Sequence, residues 1–152
     1  MIPKATLEAL VYGFGHFGSS SLALQPSHTD SFGVNVDSDN DMITAFLVSS
    51  LSVRLIDHVK ESRRVSFFCG LISHEAYNFK GRMIEIYNLE TKEILISKKY
   101  CEDIKKTLAE IGISTEAANY MVKHEPDIGI KFHVENIFKQ TPGPEAGKEL
   151  RF

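Results

Sequence analysis

The sequence predicts a mainly β, α+β fold: an antiparallel barrel of about six strands with three or four peripheral helices. Three observations carry this. Ile128, Ile130, Phe132 and Val134 alternate strictly with Gly129, Lys131, His133 and Glu135, the period of a half-buried strand. Successive strand candidates are joined by turn residues and not by regular helical crossovers, which argues against a doubly wound parallel sheet. The long strand candidate Tyr77–Tyr87 changes apolar parity across Gly81, from Tyr77 and Phe79 to Ile84 and Ile86. A one-residue bulge at that glycine explains the change, and such bulges mark barrel corners or close ligand approach.

Taken in order, Ala5–Tyr12 reads as a short helix with Leu7, Leu10 and Val11 on one side. Gly13–Ser21, rich in glycine and serine, reads as loop, Ser20–Leu24 as a short strand and Pro26–Asp30 as a turn. Phe32–Val36 alternates as a strand, Asp37–Asp41 is a tight polar turn, and Met42–Val48 is the second arm of that hairpin. Ser52–Ser62 is helical, with Val53, Ile56 and Val59 three apart. Val65–Cys69 is a continuous apolar run, hence a buried strand.

From Glu90 to Ile111 the residues Ile94, Cys101, Ile104, Leu108 and Ile111 keep helical spacing, and Gly112 is a natural stop. A hairpin through Glu90-Thr91-Lys92 is the rival reading. Ser114 or Thr115 caps another short helix running to Lys123. Residues 139–152 read as an extended tail without periodicity.

At 152 residues the chain is expected to form one domain, spanning 1–152. With 43% hydrophobic residues it can bury a core, and a net charge of −3 argues against a nucleic-acid surface as its main role. The pairs Arg63-Arg64 and Lys98-Lys99 read as solvated helix ends. Cys69 and Cys101 form no metal or disulfide pattern, and Cys69 reads as a buried thiol. With no apolar run near the ~18 residues of a membrane span and no secretory leader, the cytoplasm is the expected compartment.

Several motifs are set aside. Gly13-x-Gly-x-x-Gly18 with Asp37 matches a dinucleotide fingerprint, but that needs a strand before and a helix after it. Here a helix precedes, and Pro26 follows too soon. The six histidines form no metal-ligand spacing, so no metal is expected, and His133 reads as a surface residue. No nucleophile elbow surrounds any serine. Asp39 and Asp41 are ordinary turn residues.

One constellation does point to a ligand. An apolar strand, Met42–Val48, feeds a helix whose start carries Ser50, Ser52 and Arg54. Unpaired N–H groups and the helix dipole favour an anion there. Arginine is otherwise disfavoured at a helix N-terminus, and a bound phosphate removes that cost. Lys80, on a later strand, could close the same pocket.

Ser52-Val53-Arg54, Arg64-Val65-Ser66-Phe67-Phe68 and Asn78-Phe79-Lys80-Gly81 together resemble the pyridoxamine 5'-phosphate oxidase-related family of FMN-binding split barrels. The tail Gln140–Gly147 also looks like the ending of a branch of that family, and the likeness covers about residues 17–148. The resemblance implies an antiparallel split β-barrel, a homodimer, and FMN at the subunit interface. By position it implies Ser52 and Arg54 at the FMN phosphate and Lys80 at the phosphate or ribityl chain. The Val48-Ser49-Ser50 backbone would line the flavin, Asn78 would be a side-chain contact, and Gly81 would lie beside Lys80. It implies an oxidoreductase of undefined substrate, with a non-catalytic flavin- or haem-binding dimer as the alternative. No catalytic residue follows from it. One departure stands out: where relatives place a basic residue in the second strand, this chain has His28-Thr29-Asp30-Ser31, and Asp30 has the wrong charge for a phosphate.

Overall fold

The computed structural model describes residues 1–151. Eight antiparallel strands form one curled sheet: β1 (Phe14–Ser20), β2 (Pro26–Ser31), β3 (Val34–Asp37), β4 (Met42–Leu47), β5 (Arg64–Gly70), β6 (Ala76–Asn88), β7 (Ile128–Lys139) and β8 (Glu149–Leu150). Four helices surround it: α1 (Lys4–Tyr12), α2 (Val53–Ser62), α3 (Thr91–Glu110) and α4 (Thr115–Met121). The strand order is β2-β1-β5-β6-β7-β4-β3, with β8 beside β7. The two ends of that order, β2 and β3, are consecutive in the chain and joined at Phe32-Gly33. There Phe32 N–H donates to the Phe46 carbonyl and Phe46 N–H to the Gly33 carbonyl. The sheet thereby curls back on itself as a split barrel.

Alternation sets which residues fill it. Val65, Phe67 and Cys69 of β5 point inward, and Ser66 and Phe68 point out. Phe17, Phe67, Phe79 and Phe132 are fully buried with Ile130 and Ile137, each such side chain contributing about 1.5–3 kcal/mol of transfer free energy. Leu55 and Val59, one turn apart on α2, and Leu10 of α1 join the same core. Burial pushes the Cys69 thiol up to about 12, so it is inert. A second, smaller core lies between the helices and the outer face of β1, where Ile104, Leu108 and Ala118 pack with Phe14, Tyr100 and Val122.

The hairpin at Asp37–Asp41, the long strand before Asn88, and the positions of all four helices match the expectations, but Val11 and Val53 of the expected apolar faces are exposed, and Ala9 and Leu55 are buried in their place. α3 is a helix and not a hairpin. A capping box sets its start: Glu90 N–H donates to the Glu93 carboxylate at 2.9 Å. Ser97 Oγ bonds the Phe32 carbonyl (2.6 Å) and Tyr100 hydroxyl bonds the Gly13 carbonyl (3.0 Å), tying α3 across the barrel bend. On α3 only Ile104 and Leu108 of the expected stripe are buried, while Ile111 is exposed. Lys98-Lys99 lies within α3, whereas Arg63 does end α2, in a left-handed conformation.

Three expectations between residues 13 and 30 are corrected. Gly13–Ser21 is mostly strand β1, Ser20–Leu24 is a tight turn, and Pro26–Asp30 belongs to strand β2. Gly15 of β1 serves packing: a Cβ there would lie 2.8 Å from the Phe67 ring. The strand count rises from about six to eight. The tail is not simply extended, because Glu149–Leu150 folds back onto Phe138 and Ile137.

The parity change in β6 is also relocated. Tyr77, Phe79, Gly81 and Met83 all face inward, and the bulge on β6 falls at Ile84, which is exposed. The register shift at Lys80/Gly81 places the extra residue, Glu135, on β7. No helix is long and apolar enough to cross a membrane among the described residues.

Candidate functional site

The start of α2 is built by a clamp. Asp127 receives the Ser49 amide (2.7 Å) and the Ser49 hydroxyl, fixing the 3₁₀ turn Ser49–Leu51 against the start of β7. Burial alone pushes the Asp127 carboxyl up. The two Ser49 hydrogen bonds outweigh it and hold the group below its ordinary value. A carboxyl lowered on folding stabilises above its unfolded pKa and loses that contribution as pH falls through the folded one. Asp127→Asn is therefore expected to cost about 1 kcal/mol at neutral pH, a deficit that closes in denaturation measurements below pH 4.

Ser52 is buried and turned inward. Its hydroxyl donates to the Val48 carbonyl at 2.7 Å and lies 3.5 Å from the Thr29 hydroxyl of β2. It makes no side-chain cap, so the amides of Val53, Arg54 and Leu55 have no partner among the described residues. Ser50 and Arg54 are exposed, and Arg54 has neither an ion pair nor a hydrogen bond among the described residues. Val48 is buried and presents backbone only.

Asn78, Lys80 and Gly81 lie elsewhere. Register runs Thr29–Phe17–Phe67–Phe79 across four strands, so β6 is three strand spacings, about 14 Å, from the strand that Ser52 touches. Phe79 points into the barrel, while Asn78 and Lys80 point out of it. Asn78 Oδ1 accepts from Ser66 Oγ at 2.7 Å, and Lys80 Nζ sits 5.0 Å from the Phe138 ring centroid. A Cβ on Gly81 would meet the His133 carbonyl oxygen at 1.9 Å, a packing reason for glycine there. The structure therefore gathers Val48, Ser49, Ser50, Ser52 and Arg54 at one place and Asn78, Lys80 and Gly81 at another. Neither Arg54 nor Lys80 lines any of the five main cavities among the described residues.

Two adjoining cavities flank β2. One of about 310 Å³ opens beside the start of α2, between Thr29, Leu51, Tyr120, Lys123 and His124. Another of about 180 Å³ lies under α3 and α4. They share Asp30, Phe32 and Met121. Lys123 and His124 escaped the sequence reading, since nothing in their spacing links them to Ser52, 71 positions away. Asp30, flagged for its charge, is paired: its carboxylate lies 2.9 Å from His16 Nδ1. No cluster able to hold a metal occurs among the described residues.

Comparison with solved structures places this architecture. HupZ from Group A Streptococcus superposes with a TM-score of 0.58 at 17% identity, covering 97% of this chain and 100% of that one. A candidate pyridoxamine 5'-phosphate oxidase from Lactobacillus delbrueckii gives 0.56 at 13% identity, covering 90% and 93%. An FMN-binding protein from Syntrophomonas wolfei gives 0.52 at 11% identity, covering 90% and 82%. At these identities the likeness establishes the fold, the split β-barrel of that structural class. No family model matches the sequence, and no curated protein matches it.

Proposed function

We propose that this chain is an FMN-binding flavoprotein that works as a homodimer, with oxidoreductase activity toward a substrate still to be identified. The observation that carries the reading is the first turn of α2: three amides without partners beside an arginine without a counter-ion. That turn fits the phosphate end of FMN, a dianion at neutral pH that discharges both features at once. The FMN-binding neighbour in the same fold supports the choice of ligand.

Bound FMN supplies hydride or electron transfer. The protein's part is to bind and orient it. Arg54, the adjacent amides and the Ser50 hydroxyl take the phosphate, and the Val48–Ser50 backbone runs alongside the flavin. Asn78 keeps its NH₂ group free to donate and Lys80 makes no ion pair among the described residues; both reach this ligand from a second protomer, because they point out of their own barrel. The outward row His16–Phe68–Asn78–Phe138, with Phe68 exposed, is the surface that protomer would cover.

Flavin fluorescence titration tests the reading. FMN is expected to bind more tightly than riboflavin, which lacks the phosphate. Arg54→Ala is expected to weaken FMN by about 1.5–3 kcal/mol and leave riboflavin unchanged. Equal affinity for both ligands in the parent protein would remove α2 from the site. The alternative, a flavin- or haem-binding dimer without turnover, is favoured by one observation: Asp30 and His16 are the only charged or titratable pair in the 180 Å³ cavity apart from a committed tyrosine. Rapid reoxidation after NAD(P)H reduction would count against that alternative.

A further inference from the structure

Asp30 looks like an error for a phosphate-binding protein, and the structure gives it a different task. It is the direct cross-strand partner of His16, and its carboxylate holds Nδ1 of that ring at 2.9 Å. A carboxylate on Nδ1 selects the tautomer with Nε2 bare. The ring rests near Phe68, with 6.1 Å between centroids, so its plane is restrained as well.

The pair lines the 180 Å³ cavity. The rest of the wall is Phe14, Phe32, Ile104, Met121 and Val122, with Gly15 backbone and two hydroxyls. Both hydroxyls are committed. Ser31 Oγ donates to the Gly33 carbonyl at 2.9 Å, and Tyr100 donates to the Gly13 carbonyl at 3.0 Å. Burial pushes the Tyr100 phenol well up, so it does not ionise in the neutral range. Asp30 and His16 are the only charged or titratable side chains in the wall besides Tyr100. The wall thus carries one imidazole–carboxylate pair in an otherwise apolar lining, its side chains 46% and 66% exposed.

From the cavity, the pairing and the committed hydroxyls we infer that this chamber binds a small monocyclic aromatic carrying an acidic hydroxyl, whose proton passes to His16 Nε2. The size suits such a ring, since a dry cavity of about 150 Å³ holds benzene. The step balances without any redox partner: the ligand O–H bond breaks and an Nε2–H bond forms. The resulting phenolate and imidazolium remain in contact, with the Asp30 carboxylate 2.9 Å from Nδ1 on the far side of the ring. The chamber's wall comes from one protomer, but His16 also stands in the outward row assigned above to the second protomer, so the inference shares that residue with the flavin reading and its test is read without FMN.

The test uses 4-nitrophenol, whose phenolate absorbs where the phenol does not, in the full-length protein freed of any flavin. At a pH about one unit below the probe's own pKa, the wild type is expected to bind it and raise the phenolate band. His16→Gln keeps a hydrogen-bonding side chain but takes up no proton, and is expected to abolish the band. Asp30→Asn is expected to reduce the association constant at least about tenfold, the size of one charge-assisted hydrogen bond. Val122→Phe fills the chamber with the dyad intact, and is expected to exclude the probe while FMN binding is unchanged. A wild type that raises no band, or a His16→Gln variant that raises the same band, overturns the inference. Loss of the band in Asp30→Asn alone, with His16→Gln like the wild type, would make Asp30 the acceptor and overturn it equally.

Discussion

Arg54→Ala and Lys80→Ala are each expected to lose FMN, and mixing the two variants is expected to restore it. In one protomer Arg54 stands at the start of α2 and Lys80 on the outer face of β6, three strand spacings from the strand beside that start, so a phosphate held by both needs two chains. A dimer of one variant with the other contains one site with both changes and one site with neither. Random exchange makes about half the dimers mixed, so about a quarter of all sites should recover full affinity. Each single variant should bind about 10–150-fold more weakly than the parent, the range for a charge-assisted hydrogen bond. Retained flavin, read by absorbance after gel filtration, measures the outcome. Two variants that stay colourless on mixing, in a protein shown to exchange subunits, would place the two cations in separate roles.

Gly81→Ala is expected to lower stability by about 3 kcal/mol or more, because the added methyl meets backbone and has nowhere to turn. The built Cβ lies 1.9 Å from the His133 carbonyl oxygen and 3.2 Å from the Val134 Cα. Side chains can rotate from such a contact; a strand in the longest ladder of the sheet cannot. For a chain of this length the loss corresponds to a fall in Tm of about 6–12 °C. Gly112→Ala is the control. It is strained by its positive φ of 84° but meets open space, so about 1 kcal/mol is expected. A Gly81→Ala protein that melts like the parent yet fails to hold FMN would show that the glycine serves the ligand instead.

Much of the architecture was legible because burial imposes a period on the chain. β7 shows it in four alternating apolar residues; on α2 the expected stripe Val53, Ile56 and Val59 is only partly right, since Val53 is exposed and Leu55 is buried beside Val59. The hairpin at Asp37–Asp41 was legible from turn chemistry. The region 13–30 was not, because its signals mean two things. Gly15 reads as a turn residue when its neighbours are unknown, and only the Phe67 ring pressed against it reveals a strand. Pro26 reads as a break, yet it opens an edge strand, where a missing N–H costs little. The bulge in β6 was foreseen at Gly81 but sits at Ile84, since an exposed isoleucine imitates a core position.

For the candidate site the division is similar. Arg54 at a helix start was visible as an electrostatic anomaly in the linear text, and Ser52 with it. That Ser52 turns inward to Val48, that Ser49 is clamped by Asp127, and that His16 answers Asp30 depend on strand register and on contacts between residues far apart in the chain.

By itself, the sequence determined the class of fold and located a helix end with an arginine in its first turn. Both follow from local terms: the periodic burial of apolar side chains and the residues at a helix end. The tertiary structure alone decided which charges can meet. It put Arg54 and Lys80 on elements three strand spacings apart and joined Asp30 to His16, because closure of a sheet sets distances that spacing along a chain does not encode.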